Sequence, residues 1–188
     1  MTTQDIWFSS DLHFYHKNVQ KFCPETRSNG SLEEMNELII QAHNAVVKPG
    51  DVFYHMGDFS FGTYDQTLEV LTRMNGIKKF YRGNHDQQLD KVLKSNPHLV
   101  GYYKDYAKEY INGKKIILCH FPIESFDGQM HGSLHIHGHL HGENHHECRI
   151  MKNRFDVGID NRYDDTMAPF HFDEVMDRIE MMNIKLGD

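Results

Sequence analysis

An α/β layered fold is predicted by three features of this sequence. Short apolar runs alternate with amphipathic helical segments over the first half of the chain. A strong two-residue hairpin signal and a further extended run follow. Each strand-like run also ends in an acid, an asparagine or a histidine, at the ends of strands where α/β sheets collect their polar sites.

The elements follow in order. "IWFSSD" (6–11) is a short apolar run closing on an acid, and reads as a buried strand. "SLEEMNELIIQAHNAV" (31–46) reads as a helix. Ser31 and Glu34 form a capping box, and Leu32, Met35, Leu38, Ile39 and Ala42 form one apolar stripe. Pro49-Gly50 breaks the pattern. "DVFYHMGD" (51–58) is the second strand and also ends at an acid. "DQTLEVLTRMNG" (65–76) reads as a helix with Gly76 at its C-terminal cap. "IKKFYRGNHD" (77–86) is a third strand running into a polar turn, and a short helix follows from Gln87 to Lys94. In "KEYINGKKIILCH" (108–120), Asn112-Gly113 separates two strand-like runs and predicts a hairpin. "SLHIHGHLH" (133–141) is extended, and the last clear element is a helix from Phe172 to Met182.

At 188 residues the chain suits one domain, 1–188, with a core of its own. No repeat, low-complexity tract or linker interrupts it. The formal net charge of −7 argues against a long nucleic-acid duplex or a membrane surface as the main partner, because phosphate binding needs a positive field. Local basic clusters at Lys78-Lys79-Arg82, Lys114-Lys115 and Arg149 to Arg154 remain compatible with a short phosphate-bearing ligand. The three cysteines, Cys23, Cys119 and Cys148, are widely spaced and odd in number, which favours a reducing compartment. With no apolar leader or span at the N-terminus, a cytoplasmic location is expected.

The strand-end residues form a series: Asp11 and His13 after the first strand, Asp58 after the second, Asn84, His85 and Asp86 after the third, His120 after "IILC", then His139 and His141. Any one has an ordinary structural explanation. Asp11 could cap a turn, Gly83-Asn84 could be a tight turn, and His120 could be a satisfied core histidine. The regular recurrence at strand ends is what points to a site. Imidazole, carboxylate and amide oxygen suit Mn, Fe, Ni or Zn. Asp11, His13, Asp58, Asn84, His120, His139 and His141 are more donors than one tetrahedral ion accepts, and suit two ions with a bridging carboxylate. Two ions about 3.5–4 Å apart can clamp both sides of an in-line phosphoryl displacement. In "HIHGHLHG" (135–142) four of the fifteen histidines of the chain alternate, so an unbroken strand would point them one way. Gly138 allows a bend. His139 and His141 are assigned as ligands, and His135 and His137 as supporting or packing residues.

These blocks, D-x-H (Asp11, His13), G-D (Gly57, Asp58), G-N-H-D (Gly83 to Asp86), a lone His120 and G-H-x-H (Gly138 to His141), resemble the calcineurin-like metallophosphoesterase superfamily, and within it the short bacterial and phage phosphoesterases. The resemblance implies a four-layer α/β/β/α sandwich of two mixed sheets flanked by helices. It implies a dinuclear site in which Asp11, His13, Asp58 and His141 hold one divalent metal, and Asp58, Asn84, His120 and His139 hold the other. Mn is the first choice, with Fe, Ni, Zn or Mg as alternatives. His85 would approach the phosphate and be the general acid at the leaving group or stabilise the developing charge, and Asp86 would orient it. The expected activity is hydrolysis of phosphate esters, diesters or nucleotide-type substrates foremost, by a hydroxide that two metals activate. The alternatives are a nuclease or end-processing phosphatase on short DNA or RNA, and a non-catalytic binding scaffold. Arg82, Arg27 and His16 are expected to contact substrate. His55 reads as core or supporting, and His145-His146 as solvated. The short chain leaves little room for a cap domain, so either the site is open or a homo-oligomer completes it.

Overall fold

The computed structural model describes residues 4–27, 30–142, 151–162, 164 and 166–186. The strands are β1 Ile6–Ser9, β2 Val52–His55, β3 Ile77–Tyr81, β4 Tyr102–Lys104, β5 Tyr106–Ile111, β6 Lys114–Cys119, β7 Leu134–His137, β8 Arg154–Asp156 and β9 Phe170–His171. The helices are α1 Val19–Phe22, α2 Pro24–Arg27, α3 Leu32–Val46, α4 Tyr64–Arg73, α5 Gln87–Ser95 and α6 Phe172–Lys185. Among the described residues, no helix is long and apolar enough to cross a membrane.

The strands form two mixed sheets with flanking helices, as the resemblance implies. One sheet has the order β4-β3-β2-β1-β9, the other β5-β6-β7-β8. In the first, β1 to β4 run parallel and β9 is antiparallel; in the second, β6, β7 and β8 are parallel and β5 is antiparallel to β6.

Alternation along the strands produces two cores. Phe53 and Phe80 face α3, α4 and α5, packing with Met35, Ile39, Val70, Leu71, Leu89 and Val92. Their neighbours Tyr54 and Tyr81 point to the other side, where Phe8, Ile116, Leu118 and Ile136 join the two sheets; Phe172, Val175 and Ile179 of α6 belong to this second cluster.

Local chemistry explains the element ends. At α3 the Ser31 hydroxyl accepts from the Glu34 amide at 3.2 Å and the Glu34 carboxylate accepts from the Ser31 amide at 2.7 Å. The same reciprocal box starts α4, where Thr63 and Gln66 exchange bonds of 3.3 and 2.8 Å. The β5–β6 hairpin turns on Asn112 and Gly113 with φ of 47° and 78°, as its two-residue loop requires.

The extended run expected over 133–141 stops at His137. His139 and His141 adopt φ of 78° and 53°, so the chain bends and the four histidines do not share a direction. His135 and His137 stay together, their ring centroids 5.0 Å apart. His135 is fully buried, with Nδ1 3.0 Å from the Ile117 carbonyl and Nε2 accepting from the Ile123 amide at 3.1 Å.

Candidate metal centre

Strand register assembles the site. Ser9 of β1 lies opposite His55 of β2, and the two chains stay paired beyond the strands. The Asp11 amide donates to the Gly57 carbonyl at 2.9 Å and the His13 amide to the Asp58 carbonyl at 3.1 Å. Asp11, His13 and Asp58 are therefore fixed side by side by backbone alone. In the second sheet the Gly138 amide donates to the His120 carbonyl at 3.0 Å, carrying His139 past His120. The sheets meet where Ser10 bridges Gly158, so the strand ends of both face one cluster.

Nine described non-glycine residues have positive φ, and five of them are Asp11, His13, Asp58, His139 and His141. Such backbone is uncommon outside glycine and costs on the order of 1–3 kcal/mol each, so its concentration on the expected ligands marks the turns as built for the site. Gly138 makes the bend by close approach: any Cβ there would overlap the Ser10 hydroxyl and the Asp11 carboxylate.

The donors converge. His13 Nε2 is 3.1 Å from His141 Nε2, 3.7 Å from Asp11 Oδ1 and 3.7 Å from Asp58 Oδ2. On the other side His120 Nε2 is 3.6 Å from Asp58 Oδ2, 3.0 Å from Asn84 Oδ1 and 3.2 Å from His139 Nδ1. Asp11, His13 and His141 make one group that could hold a cation; Asp11, Asp58 and His120 make another.

The donor set fits cations on its own chemistry. Asp11 Oδ1 is buried without a hydrogen-bond partner, an orphan acceptor that a cation would satisfy. His120 Nδ1 lies 2.7 Å from the Met56 carbonyl, and His141 Nδ1 lies 2.8 Å from Asp160 Oδ2. Bonds of that kind place the proton on Nδ1 and turn the Nε2 lone pair inward. Burial opposes ionisation of Asp11, yet His13, His141 and His120 hold its carboxyl well below the usual range. Burial lowers His13 and His139, favouring the neutral, ligating imidazole. Burial also opposes a charged His141, but its bonds to Asp160 and Cys23 and the charge of Asp11 raise it to about 11. The charged ring also carries a proton on Nε2, and that is the one a bound cation would have to displace.

Three residues stand differently from the expectation. Arg27 is fully buried and cannot reach a substrate. Its guanidinium grips Asp160 with two bonds of 2.7 and 2.9 Å and donates to the carbonyls of Asp11 and Leu12 at 2.6 and 2.9 Å. Arg82 is exposed but turns onto α5, donating to Asp90 at 2.6 Å. Asp86 does not orient the His85 ring. Its carboxylate accepts from the amides of Gly83 at 2.7 Å, Phe59 at 2.8 Å and Asp58 at 3.1 Å, which ties the third strand end to the second. Burial raises Asp86 to about 6.

His85 is exposed at the rim, and its amide donates to Asp58 Oδ1 at 2.8 Å. His16 lines a cleft that also includes His13, His85 and His141. His55 is fully buried, with its Nδ1 accepting from the Gly57 amide at 3.2 Å. His145-His146 and Cys148 lie outside the described residues.

Sequence reasoning missed the residues behind and beside the cluster. Asp160 orients His141, and Asp156 accepts from the amides of Gly158 and Leu140 at 2.7 and 3.2 Å. Asp156 ends β8 and Asp160 follows it, so the strand-end rule would have reached them had that three-residue strand been legible. Phe61 beside His13 and His85, and Phe121 beside His120 and His139, flank the cluster at ring separations of 4.9 to 5.3 Å.

An α/β sandwich whose strand ends converge on paired carboxylates, imidazoles and an asparagine amide is that of a metal-dependent hydrolase. Residues 5–175 match the family of calcineurin-like phosphoesterases, and the chain belongs to that family, whose members hydrolyse phosphate esters. An uncharacterized protein of Methanocaldococcus jannaschii is 36% identical over 142 residues, 72% of each chain. The crystal structure of a protein of unknown function from Aquifex aeolicus superposes with a TM-score of 0.72 at 26% identity, covering 94% of this chain and 100% of that one.

Proposed function

We propose that this enzyme hydrolyses phosphodiesters or nucleotide-type phosphate esters with two divalent cations, Mn²⁺ foremost. Asp11, His13, Asp58 and His141 hold one cation, and Asp58, Asn84, His120 and His139 the other. The observation that carries this reading is the position of Asp58. Its Oδ2 stands 3.7 Å from His13 and 3.6 Å from His120, between the two halves of the donor set. Asp11, which groups with both halves, adds negative charge.

When bound, the cations supply Lewis-acid charge for the phosphoryl oxygens and a nucleophile at neutral pH. The chain does the rest. Asp86 and the Gly83 turn fix Asp58, Asp160 fixes His141, and the Met56 carbonyl fixes His120. His85, held at the rim by its amide bond to Asp58, donates a proton to the departing ester oxygen. The open side of the cluster next to Phe61 leaves space for a second ester arm, which favours diesters. The free Cys23 and Cys119 are in keeping with a reducing, cytoplasmic setting.

Hydrolysis of bis-p-nitrophenyl phosphate and p-nitrophenyl phosphate, with and without Mn²⁺, tests this together with elemental analysis. Wild type should bind two ions per chain and prefer the diester. His85→Ala should lose about 10²–10⁴-fold in kcat with its metal retained. Asp58→Ala should lose metal and turnover together. At most one ion per chain under saturating supply, or metal loss in His85→Ala, would overturn the assignment.

A further inference from the structure

A cleft of about 650 Å³ opens beside the metal-ligand cluster, bounded by His13, His85 and His141 on its inner side. One wall is a row of rings. Along it, the Phe22 and His16 centroids are 5.9 Å apart, those of His16 and Phe61 4.2 Å, and those of Phe61 and His85 4.9 Å. Phe22 is 61% exposed and Phe61 39% exposed, so two phenyl groups stand in water along a concave surface. Scattered exposed apolar residues need no explanation, but a continuous aromatic wall in a cleft beside catalytic groups does. Lys21 lines the same cleft and adds a cation.

We propose that this wall binds a planar, heteroaromatic arm of the ester, of the nucleobase type, so that the substrate is a nucleoside phosphate ester. The inference rests on the phosphoesterase reading above and adds which residues select the substrate. The tilted rings offer faces and edges to a flat partner, and every nucleobase has a π-face to stack. The polar edge of a base can turn to Lys21 and to water at the open end. The row begins at His85, so a phosphoryl group held at the cluster places its arm along the rings.

Three chromogenic esters that share p-nitrophenolate as leaving group separate the arms: thymidine 5′-(p-nitrophenyl phosphate), methyl p-nitrophenyl phosphate and cyclohexyl p-nitrophenyl phosphate. The Mn²⁺-loaded full chain should favour the thymidine ester over the methyl ester about tenfold in kcat/KM, the size expected of one stacked base. Phe22→Ala and Phe61→Ala should each shrink that ratio, and the double variant should bring it near unity. Lys21→Ala should reduce it less. A ratio near unity in wild type, or one unchanged in both phenylalanine variants, overturns the proposal. So does a cyclohexyl ester that matches the thymidine ester, which would make the wall a site for aliphatic arms. Equilibrium binding of thymidine 5′-phosphate against methyl phosphate reads the same preference without turnover. If no ester is hydrolysed, the phosphoesterase reading fails; if the two phosphates bind equally, the stacking proposal fails.

Discussion

Arg27 carries a positive charge at a position with no exposure to solvent, which is tolerable only because each of its three guanidinium nitrogens meets an acceptor. Asp160 takes two of its bonds, and the carbonyls of Asp11 and Leu12 take the others. The same aspartate reaches His141, so one buried pair supports both the D-x-H turn and a candidate ligand imidazole. Removing one partner leaves the other charge stranded. Arg27→Met should therefore cost about 3–5 kcal/mol in urea denaturation; a loss under 1 kcal/mol would show the pair to be dispensable. Asp160→Asn probes the other function. If the amide oxygen keeps Arg27, the amide NH₂ faces His141 Nδ1 and can only donate to it. Nδ1 must then accept, the proton moves to Nε2, and the ligand nitrogen is blocked. Metal affinity should fall about 10–100-fold by titration calorimetry; wild-type affinity would show that Asp160 does not set the tautomer.

At the scale of elements, the turns after β1, β2, β3 and β7 do the positioning, and their tight packing explains why glycine recurs in them. A Cβ on Gly83 would overlap the Asp58 carboxylate and crowd its amide. Gly83→Ala should push Asp58 from its position while the strands stay intact. Displacements near 1 Å typically cost about 10²-fold, so kcat/KM should fall to that degree with an unchanged far-ultraviolet circular dichroism spectrum. Normal activity would mean that Asp58 tolerates the shift. These turns were legible in the sequence because D-x-H, G-N-H-D and G-H-x-H each follow a hydrophobic run long enough to show a pattern. The α3 capping box and the Asn112-Gly113 hairpin were legible for the same reason: their chemistry is local. By contrast β4, β8 and β9 have three, three and two residues, too few for any periodicity, and exist because neighbouring strands pair with them. Asp156 and Asp160 were hidden with β8. The carboxylate partners of Arg27 and Arg82 were not legible, because charge alone does not say whether a guanidinium faces a substrate or another carboxylate.

Taken across the whole molecule, two groups of the described histidines make opposite demands on pH. Those of the cluster are arranged to meet cations. Others are packed into the interior as neutral rings: His43 lies against Phe53 with Nε2 3.0 Å from the Asn75 carbonyl, and His135 is fully buried with Nδ1 3.0 Å from the Ile117 carbonyl. Burial lowers each of these to about 4. Their folded values lie below the unfolded value of 6.5, so the unfolded chain binds more protons between those limits. The stability they contribute is complete above pH 6.5 and is lost as pH falls toward 4. One such histidine adds up to about 1.4 kcal/mol per pH unit to the slope in that window. His43 is remote from the ligand residues, so it can be tested alone. In His43→Gln the side-chain amide can still donate to Asn75, but nothing titrates. With EDTA present in both samples, the remaining groups contribute equally and the difference in urea stability isolates His43. The variant should lose stability less steeply than wild type on going from pH 6.5 to pH 4, the two curves converging at acid pH. Parallel curves would show that the His43 ring takes up its proton as readily inside the fold as outside it.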